Sequence, residues 1–216
     1  MLCYKHFNDR EEWLKGRETF KGIGASEAAA VVGISPWITA TELWQLKTGM
    51  KQEKRNDLDD NEYIRYGTEA EEHIRMLFML KHEEYKLNYR PYDFLYQKER
   101  PWLRCTLDGE LEAENGEKGI LEVKTHFVRS KNDLNAWNGM VPDHYYCQVC
   151  HQLLATGFSF AYLTAELIFQ SGESNLRTYY FTRHDASDDM RWLLEQEEAF
   201  WKSVKDGNSP SVNLVI

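Results

Sequence analysis

The chain has 216 residues, 42% hydrophobic and 13% aromatic, which suits one globular domain over 1–216 with a sizeable core. No stretch nears the roughly 18 apolar residues of a membrane span, and Met1-Leu2-Cys3-Tyr4-Lys5-His6 lacks a signal peptide's apolar run, so a cytosolic protein is expected. With 26 Lys and Arg against 35 Asp and Glu the net charge is −9, which excludes a broadly basic nucleic-acid-binding surface but not a local basic channel.

In chain order, Asp9–Leu14 reads as a short helix. The alanine-rich run over 25–33 reads as helical from an N-cap at Ser26, broken by Ser35-Pro36-Trp37. Thr41–Thr48 makes another short helix ending at Gly49. Lys51–Asn61, charged and free of aromatics, reads as a mobile loop or frayed helix. A strong amphipathic helix is predicted over Thr68–Lys81, with Ile74, Leu77 and Phe78 on its buried side. Strand-like sequence follows at Arg90–Leu95, then Leu103–Asp108 and Gly119–Thr125, separated by a polar turn at Glu114-Asn115-Gly116-Glu117. Asp143–Thr156 is a second strong helix, Phe160–Leu167 and Arg177–Phe181 are strands, and Ser187–Lys205 is a closing helix.

The chemistry concentrates at Asp108 and at Glu122-Val123-Lys124. Successive strand side chains alternate faces, so Glu122 and Lys124 point one way and Val123 points into the core. A hairpin can bring Asp108 beside them. Two carboxylates and an ammonium on one sheet face suit metal-dependent phosphodiester hydrolysis, which takes hard oxygen ligands and a cation beside the attacking water. The plain alternative is a solvated hairpin of alternating charges, with Lys124 merely pairing with Glu122. On the helix from Asp143, Val149, Cys150, Leu153 and Leu154 form the apolar side, while Gln148, His151 and Gln152 share another at spacings of three and four. Ser26, opening its helix, offers a hydroxyl and free backbone N–H groups to an anion, or simply caps the helix. Trp37 and Trp44 are core residues or stacking surfaces for unpaired bases. Cys147-x-x-Cys150 invites a metal or iron–sulfur reading, but Cys3, Cys105, Cys147 and Cys150 fit buried free thiols better.

Asp108 with Glu122 and Lys124 resembles the signature of the PD-(D/E)xK nuclease superfamily, with Leu107 in place of the usual proline. Four blocks narrow the resemblance to the YqaJ-like viral recombinase family, relatives of phage lambda exonuclease. They are Gly22–Trp37, Thr41–Gly49, Tyr66-Gly67-Thr68-Glu69-Ala70-Glu71 and Gln148-Val149-Cys150-His151-Gln152-Leu153, in the family's order. The resemblance implies an α/β (α+β) restriction-endonuclease-like core, a central mixed β-sheet flanked by helices. It implies Mg2+, two ions with Mn2+ as a substitute, held by Asp108, Glu122, Glu71 and the Val123 carbonyl, with Glu69 a lesser choice for the helical ligand. Lys124 would orient or deprotonate the water, and Gln148 and Gln152 would bond water or the scissile phosphate. A DNA 5′-phosphate would meet Ser26. Thr19 stands where the family's arginine is expected, leaving Arg17 and Lys21 as candidate clamps. The implied activity is a 5′→3′ exonuclease on double-stranded DNA ends, leaving 3′ overhangs for a phage-type single-strand annealing protein and working as a ring-shaped homotrimer in the bacterial cytosol. A structure- or sequence-specific endonuclease, or a non-catalytic DNA-end-binding module, are the rival readings.

Overall fold

The computed structural model describes residues 1–51 and 61–210. The chain opens with strand β1 (Leu2–His6), helix α1 (Arg10–Thr19) and the short strand β2 (Ile23–Gly24). A 3-10 turn (Ala25–Glu27) runs into α2 (Ala28–Val31), followed by α3 (Ala40–Thr48) and α4 (Glu62–Met79). Five strands come next: β3 (Tyr85–Asn88), β4 (Asp93–Gln97), β5 (Arg100–Cys105), β6 (Gly109–Ala113) and β7 (Lys118–Phe127). The rest is α5 (Lys131–Asn135), α6 (Asp143–Thr156), β8 (Phe160–Ile168), β9 (Ser174–Thr182) and α7 (Ser187–Asp206).

Strands β3-β6-β7-β8-β9 form one sheet and β1-β4-β5-β2 a second. In the larger sheet only β7 and β8 run parallel, joined by the crossover through α6. This is the expected mixed sheet flanked by helices, with a smaller sheet added beside it.

Helix α6 packs against strands of both sheets and against α2 and α7. Its Val149, Cys150 and Leu153 are buried with Ile120 and Leu163 of the large sheet and Leu103 and Cys105 of the small one. The opposite face of the large sheet is covered by α4, whose Ala70, Ile74 and Phe78 pack on Leu121 and Val123. Even-numbered residues of β7 therefore face α6 and odd-numbered ones face α4, which is the alternation expected of Glu122, Val123 and Lys124. Each large side chain so removed from water contributes roughly 2 kcal/mol.

Several boundaries differ from expectation. Helix α4 begins at Glu62, not Thr68, because the Asn61 side chain accepts the Tyr63 N–H and caps it. Gly67 is therefore inside the helix. A Cβ there would stand 3.0 Å from Thr125 Oγ1, so the glycine lets α4 lie close on β7. Leu77 falls off the buried stripe and is 47% exposed. Ser26 is not an N-cap: it lies within the 3-10 turn, where Glu27 Oε2 accepts the Gly24 N–H, and α2 has only four residues. Helix α1 runs five residues past Leu14 and is capped by Asp9, whose side chain accepts the Glu12 N–H. Helix α3 ends at Gly49 with φ 78°, as expected. The segment at Arg90–Leu95 is a turn leading into β4, and the strand expected to end at Asp108 stops at Cys105. The charged stretch after Lys51 lies outside the described residues up to Asn61. Cys105, Cys147 and Cys150 are buried free thiols, and Cys3 is a half-buried one.

Candidate active site

Asp108 sits in the connection between the two sheets, immediately before β6. Gly109 then pairs with Leu121 in the β6–β7 hairpin, whose turn lies at the expected position. That register places Asp108 beside β7, and its Oδ2 accepts the Val123 N–H at 2.8 Å. The expected hairpin is thus made by β6 rather than by the strand before Asp108, and it brings Asp108 to Glu122 and Lys124 all the same.

These residues line one cavity of about 300 Å³ together with Glu71, Gln148, Arg17 and Ser26. Glu71 reaches it from the third turn of α4, one helical turn after Gly67. Helix capping does not account for this carboxylate, since the helix starts nine residues earlier. Lys21 and Glu69 are not in the cavity; Glu69 lines a separate surface pocket with His73 and Glu166. Lys21 is exposed beyond the end of α1.

Glu122 is almost fully buried and its oxygens are taken. Oε1 accepts from Lys124 Nζ at 2.6 Å and from Gln148 Nε2 at 2.5 Å. Oε2 accepts from Gln152 Nε2 at 2.5 Å, and the same amide nitrogen lies 3.3 Å from the Thr106 carbonyl. Both glutamines thus hold Glu122, but only Gln148 lines the cavity, while Gln152 is fully buried. His151 does neither. It is fully buried behind them, with Nδ1 2.6 Å from Glu197 and Nε2 2.9 Å from the Arg104 carbonyl.

Burial, then the fields of Glu122 and Glu71, push the Asp108 carboxyl well above the usual carboxylate range. Burial raises Glu71 too, with Glu122 adding to it against the opposing Arg75 guanidinium. For Lys124, burial favours the neutral amine, but Glu122 and Asp108 outweigh it and hold the ammonium above its ordinary value. Three carboxylates here meet the Lys124 ammonium, with the Arg75 guanidinium behind Glu71 as the second cation, so the acids outnumber the charges that offset them. Hard oxygen donors crowded in this way are the set a small divalent cation takes, so the residues fit such an ion. Among the described residues no three acidic, His or Cys side chains form a ready-made metal cage. The Glu122 oxygens are turned to Lys124 and the two glutamines.

Four contributors were not anticipated. Arg104, buried on β5, donates to the Arg17 carbonyl at 2.8 Å and stacks on Phe94. Burial lowers it to about 10. Glu27 lines the cavity and is paired with Lys47 at 2.6 Å. Arg75 is buried behind Glu71, 3.8 Å away, its guanidinium over the Tyr89 ring. Trp13 closes one wall. Only Arg104 carried a signal: an arginine set between the apolar Leu103 and Cys105.

The YqaJ-like viral recombinase domain model matches residues 12–159, which include every residue of this cavity. The chain belongs to that family. The uncharacterized protein YqaJ of Bacillus subtilis (strain 168) is 29% identical over 206 residues, 94% of this chain and 59% of that protein. The chain thus spans about 59% of the length of this curated relative. Among solved structures, the fold is similar to an alkaline exonuclease (LHK-Exo) from Laribacter hongkongensis, with TM-score 0.63 and 16% identity over 91% of this chain and 93% of the other. A phage related exonuclease from Haemophilus somnus aligns with TM-score 0.55 and 10% identity, covering 86% and 96%. At such identities the likeness establishes the fold.

Proposed function

We propose that this family member is a metal-dependent 5′→3′ exodeoxyribonuclease, its residues 1–216 acting as one nuclease domain on the ends of linear double-stranded DNA. The observation that carries the reading is the convergence of Glu71, Asp108, Glu122 and Lys124 on one cavity. The exonuclease names of the structural neighbours support it. Asp108, Glu122, Glu71 and the Val123 carbonyl would hold two Mg2+ ions, or Mn2+ in their place. When bound, such ions supply an activated water and neutralise the leaving oxygen.

The protein's own groups do the rest. Lys124, held protonated by its acidic neighbours, orients the water and offsets charge developing on the phosphate; that protonation argues against a role as base. Gln148 and Gln152 fix the Glu122 carboxylate, and Gln148 reaches the cavity to bond water or the scissile phosphate. Ser26 and Arg17 line the same cavity and would meet a terminal 5′-phosphate, whereas Lys21 lies outside it. The single-strand annealing partner, the ring-shaped homotrimer and the bacterial cytosol as workplace belong to the same reading. No described helix is long and apolar enough to cross a membrane.

The test is cleavage of end-labelled linear duplex with and without Mg2+, beside closed circular DNA. Loss of label from linear DNA only, with Mg2+, is expected; equal cutting of circles would replace the exonuclease by an endonuclease. Within the site, Gln148→Ala is expected to lower kcat by 10- to 100-fold, the usual effect of freeing a metal-binding carboxylate from its hydrogen-bonding partner. A melting curve unchanged from wild type, measured alongside, assigns the loss to the site.

A further inference from the structure

Two of the three tryptophans in the N-terminal third, Trp37 and Trp44, have opposite fates. Trp44 is buried, with its indole N–H donated to the Ser203 carbonyl at 3.2 Å. Trp37 is 66% exposed. It is nonetheless held in place: Ser35 Oγ accepts the N–H groups of Trp37 and Ile38, and the N–H groups of Ile34 and Ser35 both reach the Ala29 carbonyl. The indole lies edge-on to the His144 ring, 5.0 Å between centroids at 89°, and 6.3 Å from Tyr145. Tyr145 extends this ledge inward, its ring 5.2 Å from Lys124 Nζ. An aromatic ledge, exposed at Trp37 and half-buried at His144 and Tyr145, thus runs inward to the lysine of the cavity.

A π-face that leads inward to an ammonium is complementary to a nucleobase and its phosphate. Stacking on an aromatic side chain is open to every base, but only to a base released from its pair, because a duplex hides its base faces. A purely apolar protein partner would gain nothing from the ammonium at the ledge's inner end. We propose that Trp37, backed by His144 and Tyr145, is a stacking platform for an unpaired nucleobase of the strand whose phosphate enters the cavity. On a linear duplex, the platform would engage a base released from its pair at the frayed end. This rests on the nuclease reading, which it extends to the conformation of the substrate.

The test is binding, so that it stands apart from catalysis. Affinity for a labelled single-stranded oligonucleotide is measured by fluorescence anisotropy in Ca2+ for wild type, Trp37→Ala and Trp37→Phe. A single abasic site is then moved along the oligonucleotide. Trp37→Ala is expected to weaken binding about tenfold, within the range for loss of one stacked base, and Trp37→Phe by less than about threefold. One abasic position should weaken wild type by a similar factor and leave Trp37→Ala unaffected. Equal affinities, or abasic penalties that are the same in both proteins, overturn the platform. So does a Trp37→Ala effect on sedimentation mass in place of affinity, which would make the ledge a contact between copies of the chain. Absence of cleavage by wild type in Mg2+ would overturn the nuclease reading and leave the binding result to decide the platform.

Discussion

Asp108→Asn is expected to melt at a higher temperature than wild type in metal-free buffer at neutral pH, while losing cleavage by on the order of a thousandfold or more. Asp108 is buried, and its carboxyl is pushed upward first by that burial and then by Glu122 and Glu71. A group whose pKa is higher folded than unfolded binds more protons in the folded state between the two values. The stability it contributes is fully present below the unfolded pKa and is lost as pH rises through the folded one. At neutral pH the wild-type protein therefore carries part or all of that penalty, whereas asparagine carries none. The amide oxygen can still accept the Val123 N–H, so the local backbone keeps its partner. The catalytic loss follows because an amide is a poor ligand for a hard divalent cation, and the metal's charge stabilisation is worth several kcal/mol of barrier.

Lys124→Ala provides the opposite stability sign. It too should lose activity, but it removes the ammonium that Glu122 and Asp108 hold above its ordinary pKa, and so leaves the carboxylates less compensated. Its melting temperature should fall, and Mg2+ should restore more of it than in wild type. Thermal melts of the three proteins from pH 5 to 9, with and without Mg2+, decide the matter. If both variants move in the same direction, the carboxylates do not repel one another as inferred.

Much of this site was legible because its grammar is local. Glu122 and Lys124 occupy one face of β7 because strands alternate, and the turn at Glu114–Glu117 fixes the register that draws Asp108 in. The bounds of α6 follow from Pro142 before it and Gly157, with φ 77°, after it. What the sequence hid depends on distant partners. Gly67 looked like a helix boundary, since glycine disfavours helix interiors, yet it lies inside α4 where a side chain would meet Thr125. Arg104 became an element of the site only when β5 was laid beside α1, so that its guanidinium meets main-chain carbonyls 87 and 88 residues away in sequence. His151 shares the spacing of Gln148 and Gln152 and so seemed to belong to their face. Its partner, Glu197, comes from α7.

That partner supports a final prediction, which separates the hidden histidine from the catalysts beside it. Glu197→Ala is expected to destabilise the protein by about 3–5 kcal/mol, the usual effect of stranding one half of a buried ion pair. For a chain of this size that corresponds to a fall in Tm on the order of 10 °C. The Arg104 carbonyl and the Glu197 carboxylate are both acceptors, so the two ring nitrogens of His151 satisfy them by carrying a proton each. Burial alone disfavours that charge, but Glu197 and the carbonyl outweigh it and raise the histidine above its usual value. With the folded pKa raised, the pair's contribution is fully present below the unfolded pKa and is lost as pH rises through the folded one. The Tm difference between wild type and Glu197→Ala should therefore be larger at pH 6 than at pH 9. Glu197→Gln should fall between them, since its amide oxygen still accepts from the ring while the charge is gone. Below their melting temperatures all three should cleave DNA at rates within about twofold, because neither His151 nor Glu197 lines the cavity. A hundredfold loss of kcat in folded Glu197→Ala would instead place His151 among the groups that act on the substrate.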